Sequence, residues 1–317
     1  MATSFDELNV LLAKLQSAKA QEGTGLVGSN FLAVGQGFEL GPSYAMEPMD
    51  FASGTFGQAQ NIFGGGGVDI KINMPVIPTA STTEPDVGLL LKCSGMEVST
   101  STNLHTYAFT STPASQKDAT LWKYSGLLTA SESVLTKAHS AQFDFKLSAE
   151  AGKALMAEFT GKGVLSAIPA VTSYVTGTLT LPSVGPAYLK ATTMKVCETA
   201  CKVIKFEMTA GNTVVLVKDP STTYGFGYAE ITKRQSAWTA TVIEAAAFLP
   251  HTNLEAGTLG DFDIVFGSGT GSKVEIVSGS DKSQLTSVKH SSDEGVNVWE
   301  LAGIFVDNSV SIKVNVT

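Results

Sequence analysis

Cys197 and Cys201 are four residues apart, a spacing that puts two thiols on one side of a helix and could supply half of a tetrahedral metal site. The surrounding residues argue against that use, because Val196, Val203, Ile204 and Phe206 read as partly extended chain. Cys93 is far upstream, and His105, His139, His251 and His290 are too scattered to form a ligand motif. Three unevenly placed cysteines do not make a disulfide framework either. Asp261 and Asp263 would share one side of a strand. A carboxylate pair or a calcium site can be imagined there, although strand-edge Asp residues usually face water. Arg234 stands in a Lys233-Arg234 turn, either as an exposed cation or as a planar fork that braces a loop or a neighbouring subunit. The chain has no G-x-S-x-G elbow, H-E-x-x-H pair, phosphate-binding glycine loop or kinase signature. The residues point to no enzyme, no cofactor and no metal.

The elements that would position such residues are mostly strands. Charged residues make up 16% of the 317 and the chain holds 31 Gly, a low-charge, turn-rich composition that leans towards β structure. The length allows one large all-β domain or two of ordinary size. A net charge of −8 argues against gripping nucleic acid through its phosphates. Asp6 and Glu7 lie where an export signal needs positive charge, and no apolar run is long enough to span a membrane. The expectation is a protein made and kept in the cytoplasm, or one that leaves without a conventional signal.

Ser4 and Glu7 form a capping box, and Leu8, Leu11, Leu12 and Leu15 follow at helical spacing, which predicts an amphipathic helix from Phe5 to Lys19. Glu22 to Gly67 is rich in Gly, Pro and Ser and ends in four glycines, so it reads as a long flexible surface loop. Val68, Ile70, Ile72 and Met74 alternate with polar residues as a half-buried strand, and Pro85 opens a short helix through Leu91 that stops near Gly95. Strands are expected at Leu104 to Thr110 and Ala119 to Leu128. The strongest signal is a hairpin, with Phe143, Phe145 and Leu147 on one arm, a turn at Ala149 to Gly152, and Leu155, Ala157 and Phe159 on the other. Gly161 and Gly163 then leave that strand, where Gly commonly marks a bulge or a close backbone approach.

Ile168 to Pro186 has the composition of a connector, and beyond it the hairpin grammar repeats. Val203–Met208 and Thr213–Val217 flank a turn, as do Tyr228–Thr232 and Trp238–Ile243. Phe262, Ile264 and Phe266 are answered by Val274–Val277 across a glycine-serine turn. A short polar helix or turn is expected at Asp281 to Lys289, and Val296–Val306 and Val310–Val316 close the chain. The expected fold is mainly β, a sandwich or barrel with flanking short helices. It divides into two similar modules, 1–168 and 187–317, joined by 169–186.

Several segments taken in order resemble the tail tube protein of tailed bacteriophages, the major tail protein of long non-contractile tails. They are KAQEGTG (Lys19 to Gly25), GGVDIKINMPV (Gly66 to Val76), PDVGLLLKCSGM (Pro85 to Met96) and LHTYAFTST (Leu104 to Thr112). They continue with ALMAEFTGKGVL (Ala154 to Leu165), KFEMTAGNTVVLVKDP (Lys205 to Pro220), ITKRQSAWTATV (Ile231 to Val242) and DEGVNVWELAGIFV (Asp293 to Val306). The Pro or Gly that usually follows the Arg of the ITKR-like segment is replaced here by Gln235.

The resemblance implies a β-sandwich of tail-tube type, flanked by a helix, that closes into rings. The rings would stack into the virion tail through loops and termini while the protein is made in the host bacterial cytoplasm. The implied partners are further copies of the chain, the tape measure, tail terminator and distal tail proteins, and viral DNA that crosses the lumen without specific binding. No membrane is implied. Two modules per chain would make a trimeric ring pseudo-sixfold and favour it over a hexamer. The Gly54 to Gly67 loop, with Gly54, Phe56, Phe63, Gly64 and Gly67, would help ring-to-ring stacking, and Arg234 would make an inter-subunit or loop-bracing contact. A neutral or acidic wall would let DNA slide. The other readings are the tube of a phage-derived secretion system and a β-sandwich binding module or adhesin.

Overall fold

A computed structural model describes residues 9–35, 37–48, 61–79, 81–129, 132–173, 185–189, 194–197, 199–245, 248–267 and 272–316. The first half contributes β1 (Val10–Leu15), β2 (Glu39–Pro48), β3 (Asn61–Pro75), α1 (Asp86–Cys93), β4 (Met96–Ser101), β5 (Leu104–Phe109), β6 (Ala119–Thr129), β7 (Glu132–Glu150) and β8 (Met156–Thr172). The second contributes β9 (Met194–Val196), β10 (Thr199–Cys201), β11 (Val203–Thr209), β12 (Thr213–Lys218), β13 (Phe226–Lys233), β14 (Ala237–Ile243) and α2 (Pro250–Glu255). It ends with β15 (Leu259–Gly260), β16 (Phe262–Phe266), β17 (Lys273–Ser278), β18 (Ser283–Asp293), β19 (Val296–Phe305) and β20 (Val310–Val316).

An 11-stranded antiparallel sheet runs in the order β15-β18-β19-β14-β11-β7-β8-β3-β2, with β6 also on β7 and β1 on β6. A 7-stranded sheet in the order β10-β9-β16-β17-β20-β5-β4 faces it, and β12 and β13 form a separate ribbon. Period-two alternation drives the sandwich. Phe143, Phe145, Phe159, Phe206, Met208 and Trp238 of the larger sheet share one core with Phe262, Phe266, Ile276, Ile312 and Tyr107 of the smaller. Trp238 and Phe206 pack against Phe262 as tilted ring pairs, at 4.9 and 5.9 Å between centroids. Each such side chain contributes about 1.5–3 kcal/mol on burial, so this seam outweighs any single polar contact in the molecule. Both sheets draw strands from either side of residues 169–186, and the two halves share that core.

The hairpin β7–β8, the strand Val68–Met74 inside β3, α1 and the pairing of β16 with β17 stand where the sequence places them. Other expectations need correction. Val10–Leu15 is a strand rather than part of a helix, paired antiparallel to β6 from Val10↔Tyr124 to Leu15↔Ala119. Leu11 enters the main core while Leu12 packs with Leu26 and Tyr124 on the opposite face, so the leucines read as a helical stripe serve both sides of a covered strand. Leu8 and the proposed cap lie outside the described residues. Asp281 to Lys289 is not a helix or turn throughout, because β18 starts at Ser283, and α2 forms where the sequence pattern predicts no helix. Residues 168–172 continue β8 instead of starting the connector, and Gly161 and Gly163 lie within it. The bulge falls opposite them, between His139 and Gln142. Neither Val203–Met208 with Thr213–Val217 nor Tyr228–Thr232 with Trp238–Ile243 is a hairpin. β11 pairs with β7 and β14, while β12 pairs with β13.

The long loop at Glu22 to Gly67 is also corrected, since β2 and the glycine-rich start of β3 pair from Glu39↔Lys71 to Pro48↔Asn61. Glycine is tolerated in β3 because the β12–β13 ribbon lies directly on it. A Cβ at Gly65 would lie 2.6 Å from the Tyr224 carbonyl oxygen and one at Gly67 would lie 2.6 Å from Leu216 Cδ1. Gly65 also holds φ +150, outside the range side chains favour. Gly65→Ala is therefore expected to cost about 2 kcal/mol or more. Gly67→Ala should cost less, because a leucine tip can move where backbone cannot. Urea unfolding of the two variants checks that order.

Candidate functional site

β7 pairs with β8 along one side from Ser133↔Thr172 to Ser148↔Met156. Its other side is divided, with β6 reaching down to Ala141 and β11 beginning at Lys146. Gln142 to Phe145 lie in the fork between them, where exposed backbone groups must find other partners. Ala210 N–H donates to the Phe145 carbonyl at 3.0 Å. Asn212 Nδ2 donates to the carbonyls of Phe143 at 3.0 Å and Ser94 at 2.9 Å, and its backbone N–H donates to Asp144 Oδ1 at 2.9 Å.

Arg234 closes this fork. Nε donates to Asn212 Oδ1 at 2.9 Å, Nη1 to the Thr110 carbonyl at 3.2 Å and Nη2 to the Gly95 carbonyl at 3.2 Å. The guanidinium carbon lies 4.2 Å from the centre of the Phe109 ring. Gly95, at φ +80, leaves room that a Cβ would take from the guanidinium. Burial lowers the Arg234 pKa to about 10, so the group is still cationic at neutral pH, and it meets the carbonyl end of α1. The planar fork thus braces the segment after α1, the end of β5 and the β11–β12 connection.

A second polar cluster sits above the fork. Gln142 Nε2 donates to Asp118 Oδ1 at 2.7 Å, and Gln142 Oε1 accepts from Ile231 N–H at 2.8 Å. Asp118 is buried, and its Oδ2 has no partner among the described residues. Burial raises the Asp118 pKa; the Gln142 hydrogen bond and the Lys19 charge oppose the shift, and the Glu230 charge adds to it. A carboxyl raised by folding binds its proton more tightly in the folded chain, so its ionisation costs stability as pH rises through the carboxylate range and up to the folded pKa. The stability difference between Asp118→Asn and the parent should therefore grow in the variant's favour as pH rises above about 4, the usual carboxylate value. Calorimetry across that rise checks it; a difference independent of pH would place no raised carboxyl at Asp118.

The non-core face of the large sheet is the other candidate. Lys71–Glu158 at 2.9 Å, Lys146–Glu207 at 2.8 Å, Lys289–Glu300 at 3.3 Å and Lys205–Asp293 at 3.9 Å form a lattice of charge pairs across it. Thr160, Ser148, Thr239 and Thr241 lie between them by strand register. A shallow depression on this face, lined by Lys153, Met156, Lys205, Glu207, Thr241 and Glu300, has a volume of about 820 Å³. Exposed pairs of this kind are screened by solvent and add little to stability, so their main physical effect is on the field of the face. In these four pairs each lysine is matched by a carboxylate, while Lys162, on the same face of β8, is exposed and makes no ion pair among the described residues.

Of the residues marked in the sequence as assembly candidates, Gly54 and Phe56 lie outside the described residues. Phe63 is 43% exposed near Tyr44 and Tyr224, Gly64 is exposed, and Gly67 is buried beneath the ribbon, where it serves packing. Cys197 turns between β9 and β10 at φ +46, Cys201 is buried with its thiol pushed up to about 11, and Cys93 is buried in the core. Among the described residues no group of three His, Cys, Asp or Glu side chains could hold a metal ion. Asp261 Oδ1 accepts from Asp281 N–H at 2.9 Å, and burial, then Glu275, raises the Asp263 pKa. No described helix is long and apolar enough to cross a membrane. Asn212, Gln142 and Asp118 carry no sequence signal, since their partners come from segments up to 118 residues away. The chain matches no known family model and no curated protein.

Proposed function

We propose that the chain is a structural subunit that closes into rings and stacks as a hollow tube, the tail tube of a long non-contractile bacteriophage tail. The observation that carries this reading is the charge-paired, non-core face of the 11-stranded sheet. A wall built from it would offer DNA hydroxyls and neutralised ions. DNA carries one charge per roughly 1.7 Å of axis and is held by counterion release where unpaired Lys or Arg meet it; a face of matched pairs on a chain of net charge −8 gives it no such grip. The genome would slide through without specific binding. Among the described residues β2 and the lower part of β18 have unpaired edges at opposite sides of one sheet, which suit a repeating lateral contact that closes into a ring and removes both edges. Three chains per ring are favoured over six. Tape measure, terminator and distal tail proteins would meet the tube at its inside and ends.

Sedimentation velocity over a concentration series tests the reading. The expected result is a step from a 33.1 kDa monomer to a ring of three chains and then to heavier multiples of that ring. A monomer at every concentration would rule it out.

A further inference from the structure

The upper end of the large sheet carries a strand whose composition does not suit a free surface. Ala167, Ile168, Ala170 and Val171 of β8 are all exposed, with Ile168 at 66% and Val171 at 70% of full accessibility, although they follow one another in a strand whose alternate residues would normally be covered. Val134, directly opposite Val171 on β7, is 41% exposed. β3 pairs with β8 only as far as Gly67↔Val164, so residues 165–172 run on past it with one edge unpaired among the described residues. Pro169, which has no backbone N–H, lies in this stretch, so strand addition is disfavoured and docking through side chains is favoured.

Other exposed apolar side chains gather at the opposite end of the same strands. Met156 follows the lower turn of β7–β8, Tyr188 bridges to Ala154 beside it, and Val296 starts β19 where the register puts it level with that end. These residues are 38%, 45% and 47% exposed. An apolar set at each end of one sheet cannot meet within a single chain. A second copy displaced along the strand direction brings them together, as a head-to-tail contact that repeats without limit.

We infer that residues 167–171 of β8, with Val134, form an arm that docks on the Met156, Tyr188 and Val296 end of a second copy in the next ring. This rests on the tube reading and assigns its axial contact; lateral ring closure uses different residues. The arm is an apolar side-chain anchor whose partner is another copy of this chain.

The test is negative-stain electron microscopy of the full chain and of an Ile168→Glu, Val171→Glu double variant at matched concentrations. Both substituted side chains are exposed, so the variant's thermal midpoint should stay within a few degrees of the parent's. The expected result is stacked rings or tubes for the parent and rings one subunit high for the variant, with unchanged diameter. Val296→Glu should shorten the stacks in the same way. Tubes of parental length from the double variant would overturn the assignment while leaving the tube reading intact. Loss of the rings themselves would also overturn it, since the arm would then act laterally. A parent that forms neither rings nor tubes would remove the tube reading and this contact together.

Discussion

Arg234→Ala should destabilise the chain by about 3–5 kcal/mol, from at least three lost charge-assisted hydrogen bonds and buried acceptors left without donors. The acceptors are Asn212 Oδ1 and the carbonyls of Thr110 and Gly95, and the lost stacking on Phe109 adds to the cost. For a chain of this length the thermal midpoint should fall by roughly 5 °C or more. Arg234→Lys should recover only a small part, because one ammonium cannot reach three acceptors in different directions. A double-mutant cycle with Asn212→Ala separates the pair from the rest of the network; additive losses would mean that Arg234 does not act through Asn212.

Gly161→Ala should cost a comparable amount, about 3 kcal/mol or more, through overpacking at a site that cannot yield. Gly161 pairs with Phe143 on one side and Ile70 on the other. An added Cβ would overlap the Gln142 carbonyl oxygen and lie 2.5 Å from Phe143 Cδ1, and that ring is fully buried. Relief would require parting β7 from β8 next to the fork. Gly185→Ala, with nothing within 4 Å of the added carbon, is the control and should be near neutral. Equal unfolding midpoints for the two variants would show that the close approach at Gly161 does not constrain the sheet.

These two residues show which parts of the fold could be read from sequence and which could not. Alternation of Phe143, Phe145 and Leu147 with Asp144, Lys146 and Ser148 names both faces of β7, because strand period depends only on neighbours. It does not say which Lys meets which Glu. That needs the register of Lys146 against Glu207 and of Lys289 against Glu300, set by pairings between distant segments. The same limit explains the apparent hairpins. A turn at Thr209 to Asn212 is legible, but the chain uses it to leave one sheet for a ribbon above it, and Asn212 and Arg234 fill the resulting gap.

Two local rules were overridden by tertiary packing. Val10–Leu15 has helical leucine spacing but pairs with β6, and its faces are covered by the main core at Leu11 and by Leu26 and Tyr124 at Leu12. Gly64 to Gly67 looks unable to hold a strand, yet it provides the clearance that the β12–β13 ribbon needs. Arg234 could be singled out as a fork in a turn; its bracing of α1, β5 and the β11–β12 connection became definite only with the distances.

The most direct measurement of the central claim is a cryo-electron microscopy reconstruction of the purified full chain at the highest concentration it tolerates. The account predicts hollow stacked rings whose inner wall is the large sheet, with Lys146, Glu158, Glu207 and Glu300 facing the lumen. Uniform solid particles of one chain, or rings with that face turned outward, would contradict it.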